Sequence, residues 1–145
     1  MDTHKSKEQQ LALAFATAWH RLEKRLDGSL GAIRGISLAE YRLLRALADA
    51  PSAWASRVDL AQPVGLTPSG VTRALRPMEK LGMVSTAKSK RDARLALATL
   101  TPAGKELVED AATVVNDVMT SVIERSPRAQ AQLNEVIEWL EEFGR

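Results

Sequence analysis

A mainly α-helical single domain with one small β-hairpin is the fold this sequence predicts, and three observations carry it. Apolar residues recur at three- and four-residue spacing through most of the 145 positions. The pairs Thr67-Pro68, Thr101-Pro102 and Ser126-Pro127 stand where such seams begin. Each joins a capping hydroxyl to a proline whose missing N–H costs nothing at the first helical position. Between the second and third seams from the C-terminus, residues 84–99 switch to a two-residue alternation, the period of a strand.

The first helix is marked by Leu11, Phe15, Ala18, Leu22 and Leu26 and runs out at Asp27-Gly28. At about twenty residues it would be about 30 Å long. Gly28 to Gly35 reads as a loop. Ser37 followed by Glu40 has the spacing of a capping box, opening a second helix with Leu38, Tyr41, Leu44 and Leu47 inward and an end before Pro51. Ser56 with Asp59 opens a short third helix through Leu60 and Ala61, shortened by Pro63, and Val64-Gly65-Leu66 turns the chain. From Thr67 a fourth helix places Val71, Ala74, Leu75, Met78 and Leu81 on one stripe until Gly82 stops it. Pro77 predicts a kink in its second half, which concerns the aim of Lys80 more than that of residues 68–76. Val84 and Thr86, then Leu95, Leu97 and Thr99, form the two strands of a hairpin. Leu107, Ala111, Val114, Val118 and Val122 mark a long fifth helix after Thr101-Pro102. Leu133, Val136, Ile137, Leu140 and Phe143 mark a last one after Ser126-Pro127.

Charge is segregated along this layout. Residues 67–94 hold Arg73, Arg76, Lys80, Lys88, Lys90, Arg91 and Arg94 against Glu79 and Asp92, a net +5 in a chain of total +2. In the last forty residues nine carboxylates face three arginines. Concentrating cations on one helix and one turn is the electrostatic footprint of a surface that meets phosphates. A short helix, a glycine-containing turn and a helix with a basic outer face form a helix-turn-helix, and the basic hairpin beyond it forms a wing.

The segment LTPSGVTRALRPMEKLGMV resembles the recognition helix of the MarR family of bacterial winged-helix transcription regulators. RDARLALATLTPAG resembles that family's wing motif, with Asp92 and Arg94 two apart, then Leu100-Thr101 and Gly104. The resemblance extends more weakly to the flanking helices. It implies a winged helix-turn-helix with a two-stranded β-wing over 37–101, and long N- and C-terminal dimerisation helices over 1–36 and 102–145. A homodimer would also cover the terminal aromatics Phe15, Trp19, Trp139 and Phe143 and set two reading helices about one DNA turn apart on a palindromic operator. Pro68, Ser69, Thr72, Arg73 and Arg76 then enter the major groove. The planar fork of Arg73 best suits the O6/N7 edge of guanine, with Arg76 second, while Ser69 and Thr72 can serve a base edge or a phosphate. Arg91 and Arg94 reach toward the minor groove and Lys88 and Lys90 toward phosphates. Asp92 orients an arginine or the turn backbone.

Many members of that family bind amphipathic aromatic or phenolic ligands between the dimer helices and the reading head. Trp19, His20, Tyr41, Arg45 and Trp54 have the chemistry for such an effector. Other chemistry finds little support. With no cysteine there is no disulfide, thiolate metal site or thiol nucleophile. His4 and His20 have no evident second ligand, Ser69-Gly70 lacks the preceding glycine of a nucleophile elbow, and no glycine-rich phosphate loop appears. The expectation is a DNA-binding regulator, most simply a repressor, without cofactor, metal or enzymatic activity. The polar Met1–Gln10 and the absence of an apolar run near 20 residues predict a cytoplasmic chain away from the membrane. A winged helix that holds a protein partner instead of DNA is the alternative.

Overall fold

The computed structural model describes residues 6–52, 54–92 and 94–144; His4 lies outside them. In chain order they form α1 (Lys7–Arg34), α2 (Leu38–Ala48), β1 (Trp54–Ser56), α3 (Arg57–Val64), α4 (Pro68–Lys80), β2 (Val84–Lys88), β3 (Ala96–Leu100), α5 (Pro102–Ile123) and α6 (Ala129–Phe143). Local chemistry sets most of the starts. Ser37 Oγ accepts from Glu40 N and Glu40 Oε1 from Ser37 N, both at 3.0 Å, and Ser56 and Asp59 repeat the exchange at 3.1 and 3.2 Å. Thr67 and Thr101 each cap the N–H three residues on, at Gly70 and Gly104, with proline at the first helical position.

One core lies between the C-terminal part of α1, α2, α3, α4, α5 and the sheet. Leu30, Leu43, Leu44, Leu47, Leu60, Val71 and Met78 have almost no exposure, and α5 adds Leu107, Val108, Ala111, Val114 and Val118. Burying a side chain of that size contributes about 1.5–3 kcal/mol. The far ends of the chain take no part. Residues 11–20 of α1 are all exposed, and α6 has no buried residue.

Several expectations are corrected. Gly28–Gly35 is not a loop, because α1 continues to Arg34 and ends on Gly35, whose φ of 69° and N–H bonds to the Leu30 and Gly31 carbonyls form the stop. Two interior glycines cost about 1 kcal/mol each relative to alanine. Leu26 and Leu30, one turn apart, offset this by being buried, Arg34 pairs with Asp110 of α5, and Asp27 Oδ1 accepts from Leu38 N at 2.7 Å. Pro63 does not shorten α3, which runs through it to Val64 and ends at Gly65 with φ 68°. A proline in the last turn removes one donor without blocking the carbonyls that follow. The extent of α4 is as expected, since it runs through Pro77 to Lys80. Leu81 is 63% exposed rather than on the buried stripe, since it is the C-cap. Ser126-Pro127 opens a turn, not the helix itself: α6 starts at Ala129 after an Arg128 cap that has no side-chain bond.

The wing is also larger than a hairpin. β1 pairs with β3 on the side opposite β2, giving a three-stranded antiparallel sheet in the order β1-β3-β2. The registers set Trp54 against Thr99 and Val84 against Leu100. In β3 the buried residue is Ala98, while Leu97 and Thr99 are half-buried and Leu95 precedes the strand. No helix among the described residues is long and apolar enough to cross a membrane.

Candidate nucleic-acid interface

The reading surface begins with how α4 is anchored at both ends. Gly65 turns the chain out of α3, Thr67 caps α4, and Val71, Leu75 and Met78 seat its inner face in the core. At the other end Gly82 takes φ 75°, its N–H bonds the Glu79 carbonyl at 3.0 Å, and Met83 N bonds the Met78 carbonyl at 2.9 Å. This is a Schellman stop, which only a residue tolerant of positive φ completes without strain. With the inner face fixed, Pro68, Ser69, Arg73 and Arg76 are left exposed and Thr72 half-buried. Thr72 Oγ1 donates to the Pro68 carbonyl at 3.1 Å, so its oxygen remains able to accept.

The wing tip is built by short backbone bonds. Ser89 N donates to the Leu95 carbonyl at 2.8 Å, closing the loop, and Ser89 Oγ accepts from Arg91 N at 3.2 Å. Asp92 Oδ1 accepts from Arg94 N at 3.0 Å and from Arg94 Nε at 3.2 Å. The carboxylate thus grips both the turn and the guanidinium, as the spacing of the two residues suggests. Arg94 keeps 91% side-chain exposure, so the pair contributes at most about 1 kcal/mol and leaves the terminal N–H groups of the fork for another acceptor. Lys88, Lys90 and Arg91 are exposed.

Helix and wing adjoin across a small cleft of about 120 Å³, lined among others by Arg57, Thr72, Arg76, Glu79 and Thr86. Arg57 is a cation missing from the sequence-derived set. It is the first residue of α3, directly after the Ser56 cap, and that position carried the signal, since the first helix of a helix-turn-helix crosses the nucleic-acid backbone.

The five effector candidates are not brought together. Trp19, 48% exposed, lines a nearly all-apolar cavity of about 430 Å³ between α1, α2, α5 and α6, with Leu22, Leu38, Arg42, Met119 and Leu140 among its walls. His20 is exposed and Tyr41 half-buried against the core, and neither lines that cavity. Arg45 pairs with Asp49 at 3.2 Å beside a different cleft, and Trp54 lines a third with Pro51 and Asp59. The cation that accompanies Trp19 is Arg42, one helical turn after Leu38 on α2. Its Nη2 donates to the Pro63 carbonyl of α3 at 3.4 Å. Among the described residues no three His, Asp or Glu side chains are grouped to hold a metal ion.

A family model described as MarR family matches residues 34–95, which run from the end of α1 to the wing. The chain is 37% identical over 78 residues to YdgJ of Bacillus subtilis (strain 168), described as an uncharacterized HTH-type transcriptional regulator. That stretch is 54% of this chain and 46% of the relative, so the chain spans about half the length of the curated relative it matches. Among solved structures, Sco3205 of Streptomyces coelicolor, a MarR family transcriptional regulator crystallised in complex with DNA, is 28% identical. It superposes with a TM-score of 0.84 over 95% of this chain and 89% of its own. BldR of Sulfolobus solfataricus, a transcriptional regulator, shares the fold at 21% identity, with a TM-score of 0.80 over 95% of this chain and 99% of its own.

Proposed function

We propose that this chain is a MarR family protein, a homodimeric regulator of transcription that binds double-stranded DNA in a sequence-specific manner. The observation that carries the reading is the exposure of Arg73 and Arg76 on a helix locked at both ends, beside a wing tip that exposes Lys88, Lys90, Arg91 and Arg94. Cations carried on ordered backbone have only their side chains left to order on meeting phosphates or base edges. Repression is the simplest mode of action, since it requires nothing beyond occupancy of the duplex. A palindromic operator follows from two identical heads related by a two-fold axis.

Replacement of Arg73 tests the assignment. Arg73→Ala is expected to cost about 1–3 kcal/mol on the preferred duplex and to relax the preference at one position per half-site. Selection of bound sequences from random duplex, repeated with the variant, measures both. Equal weakening on every sequence would make Arg73 a phosphate contact. A wild-type protein without salt-dependent affinity for duplex would favour the protein-partner reading instead.

The effector reading centres on the cavity of Trp19 and Arg42. Its apolar walls suit a flat hydrophobic body, and Arg42, whose Nη2 bonds the Pro63 carbonyl, stands at its edge as the nearest cation for a carboxylate or phenolate. A ligand relieves repression only by preferring a state of the dimer that DNA does not. Reciprocity then requires that a compound lowering DNA affinity tenfold bind about tenfold more weakly to the DNA complex, a coupling of about 1.4 kcal/mol. Titrating salicylate-like compounds against tryptophan fluorescence, with and without operator, measures this. Equal affinities in the two titrations would remove those compounds as inducers.

A further inference from the structure

Reading helix and wing are tied by one side-chain bond: Thr86 Oγ1 of β2 donates to Glu79 Oε1, in the last turn of α4, at 2.6 Å. Glu79 is the sole carboxylate of α4 and lies in the cleft lined by Arg57, Thr72 and Arg76. Among the described residues its carboxylate enters no ion pair, whereas the other anion of the basic segment, Asp92, is matched by Arg94. An unmatched negative charge thus stands on the surface that approaches phosphates, where it lowers the affinity for any duplex. Both side chains are exposed, so the bond adds little to the stability of the fold.

We propose that Glu79 is a specificity-determining positioning residue, its bond to Thr86 holding the wing in register with the reading helix while its charge weakens binding to all duplexes alike. The proposal rests on the DNA-binding reading above. The two effects act on different quantities. Repulsion scales the affinity for every duplex, because the phosphate backbone is the same in each. A fixed angle favours the duplex on which helix and wing make their contacts together, and gives nothing on a sequence where the base contacts fail. The carboxylate therefore gives up affinity and gains discrimination.

Two substitutions separate the effects. Glu79→Gln keeps an acceptor for the Thr86 hydroxyl and removes the charge. It is expected to tighten binding to the preferred duplex and to a scrambled duplex by the same factor, with the slope of log affinity against log salt steeper by up to about 0.9 per protomer. Thr86→Val keeps the shape and removes the donor. It is expected to weaken the preferred duplex about three- to tenfold, the loss of one hydrogen bond. The scrambled duplex, the salt slope and the unfolding temperature should stay as in the wild type. A purely structural contact would move the unfolding temperature and leave the ratio of the two affinities alone. If the wild type binds duplex and both variants match it on both sequences, the latch is overturned and the DNA reading stands. If the wild type shows no duplex affinity at low salt, the DNA reading fails first and the latch falls with it.

Discussion

Gly104→Ala is expected to destabilise the protein by about 3 kcal/mol, a strong effect for the addition of one methyl group. Gly104 is buried in the first turn of α5, and a Cβ there would stand 2.0 Å from the Met83 carbonyl oxygen and 3.1 Å from Leu100 Cδ2. The first of these is backbone and cannot rotate away. Nor can it shift freely, because the same oxygen accepts from Thr101 N and from Thr101 Oγ1, each at 3.1 Å, and Met83 N closes the end of α4 on the Met78 carbonyl. Thr101 Oγ1 also reaches the Gly82 carbonyl at 2.6 Å while accepting from Gly104 N at 3.1 Å. The stop of the reading helix and the start of α5 are therefore one joint, and the methyl group would prise it apart. For a domain of this size a loss of that order lowers the unfolding midpoint by roughly 10 °C. The same exchange at Gly28, in the interior of α1 with nothing within 4 Å of an added Cβ, is the control and should stabilise by about 0.5–1 kcal/mol. A Gly104→Ala protein that melts with the wild type would refute the joint.

The contrast between these glycines shows where the sequence is readable. Helix starts and stops depend on residues three or four positions apart, so Ser37 with Glu40, Ser56 with Asp59, Thr67-Pro68 and Gly82 declare themselves without knowledge of the fold. The reading helix and the wing tip fall in this class, including the Asp92–Arg94 contact two residues apart. Where a distant partner decides, the local signal misleads. Gly28 and Gly31 argue for a loop until the burial of Leu30 is known. β1 has three residues and no alternation to display, and it becomes a strand through β3, some forty positions later. The phase of β3 is hidden because Ala98, small and only weakly apolar, is the residue turned inward. The effector candidates suffered most, since composition can nominate Tyr41, Arg45 and Trp54 but cannot show that Arg42 shares a cavity with Trp19.

Ile137→Asp is expected to reduce the sedimenting mass from about twice the 15.8 kDa chain to that of a single chain and to lower operator affinity by about two orders of magnitude or more. Leu133, Ile137 and Leu140 share one face of α6 at 38%, 50% and 51% exposure, and on α1 Leu11, Phe15 and Trp19 follow one another a turn apart at 72%, 51% and 48%. A fifteen-residue helix with no buried residue is marginal in water, so α6 needs a partner to persist. A contiguous apolar face on both terminal helices is also more than a soluble monomer ordinarily leaves open. In a lone chain, aspartate at a half-exposed position is well solvated and costs little. In the proposed dimer the two-fold axis buries it twice, without a counter-charge, and each copy costs several kcal/mol. The winged head should stay folded, because its core draws on α1 to α5 and not on α6. Two heads joined on one stalk bind a palindrome with the second contact nearly intramolecular, and a separated head loses that advantage while keeping its own weak grip on a half-site. Sedimentation and titration of full and half operators read the two quantities independently. A variant that remains a dimer would exclude this face from the interface, and a wild-type monomer with full affinity for the palindrome would remove the symmetric dimer altogether.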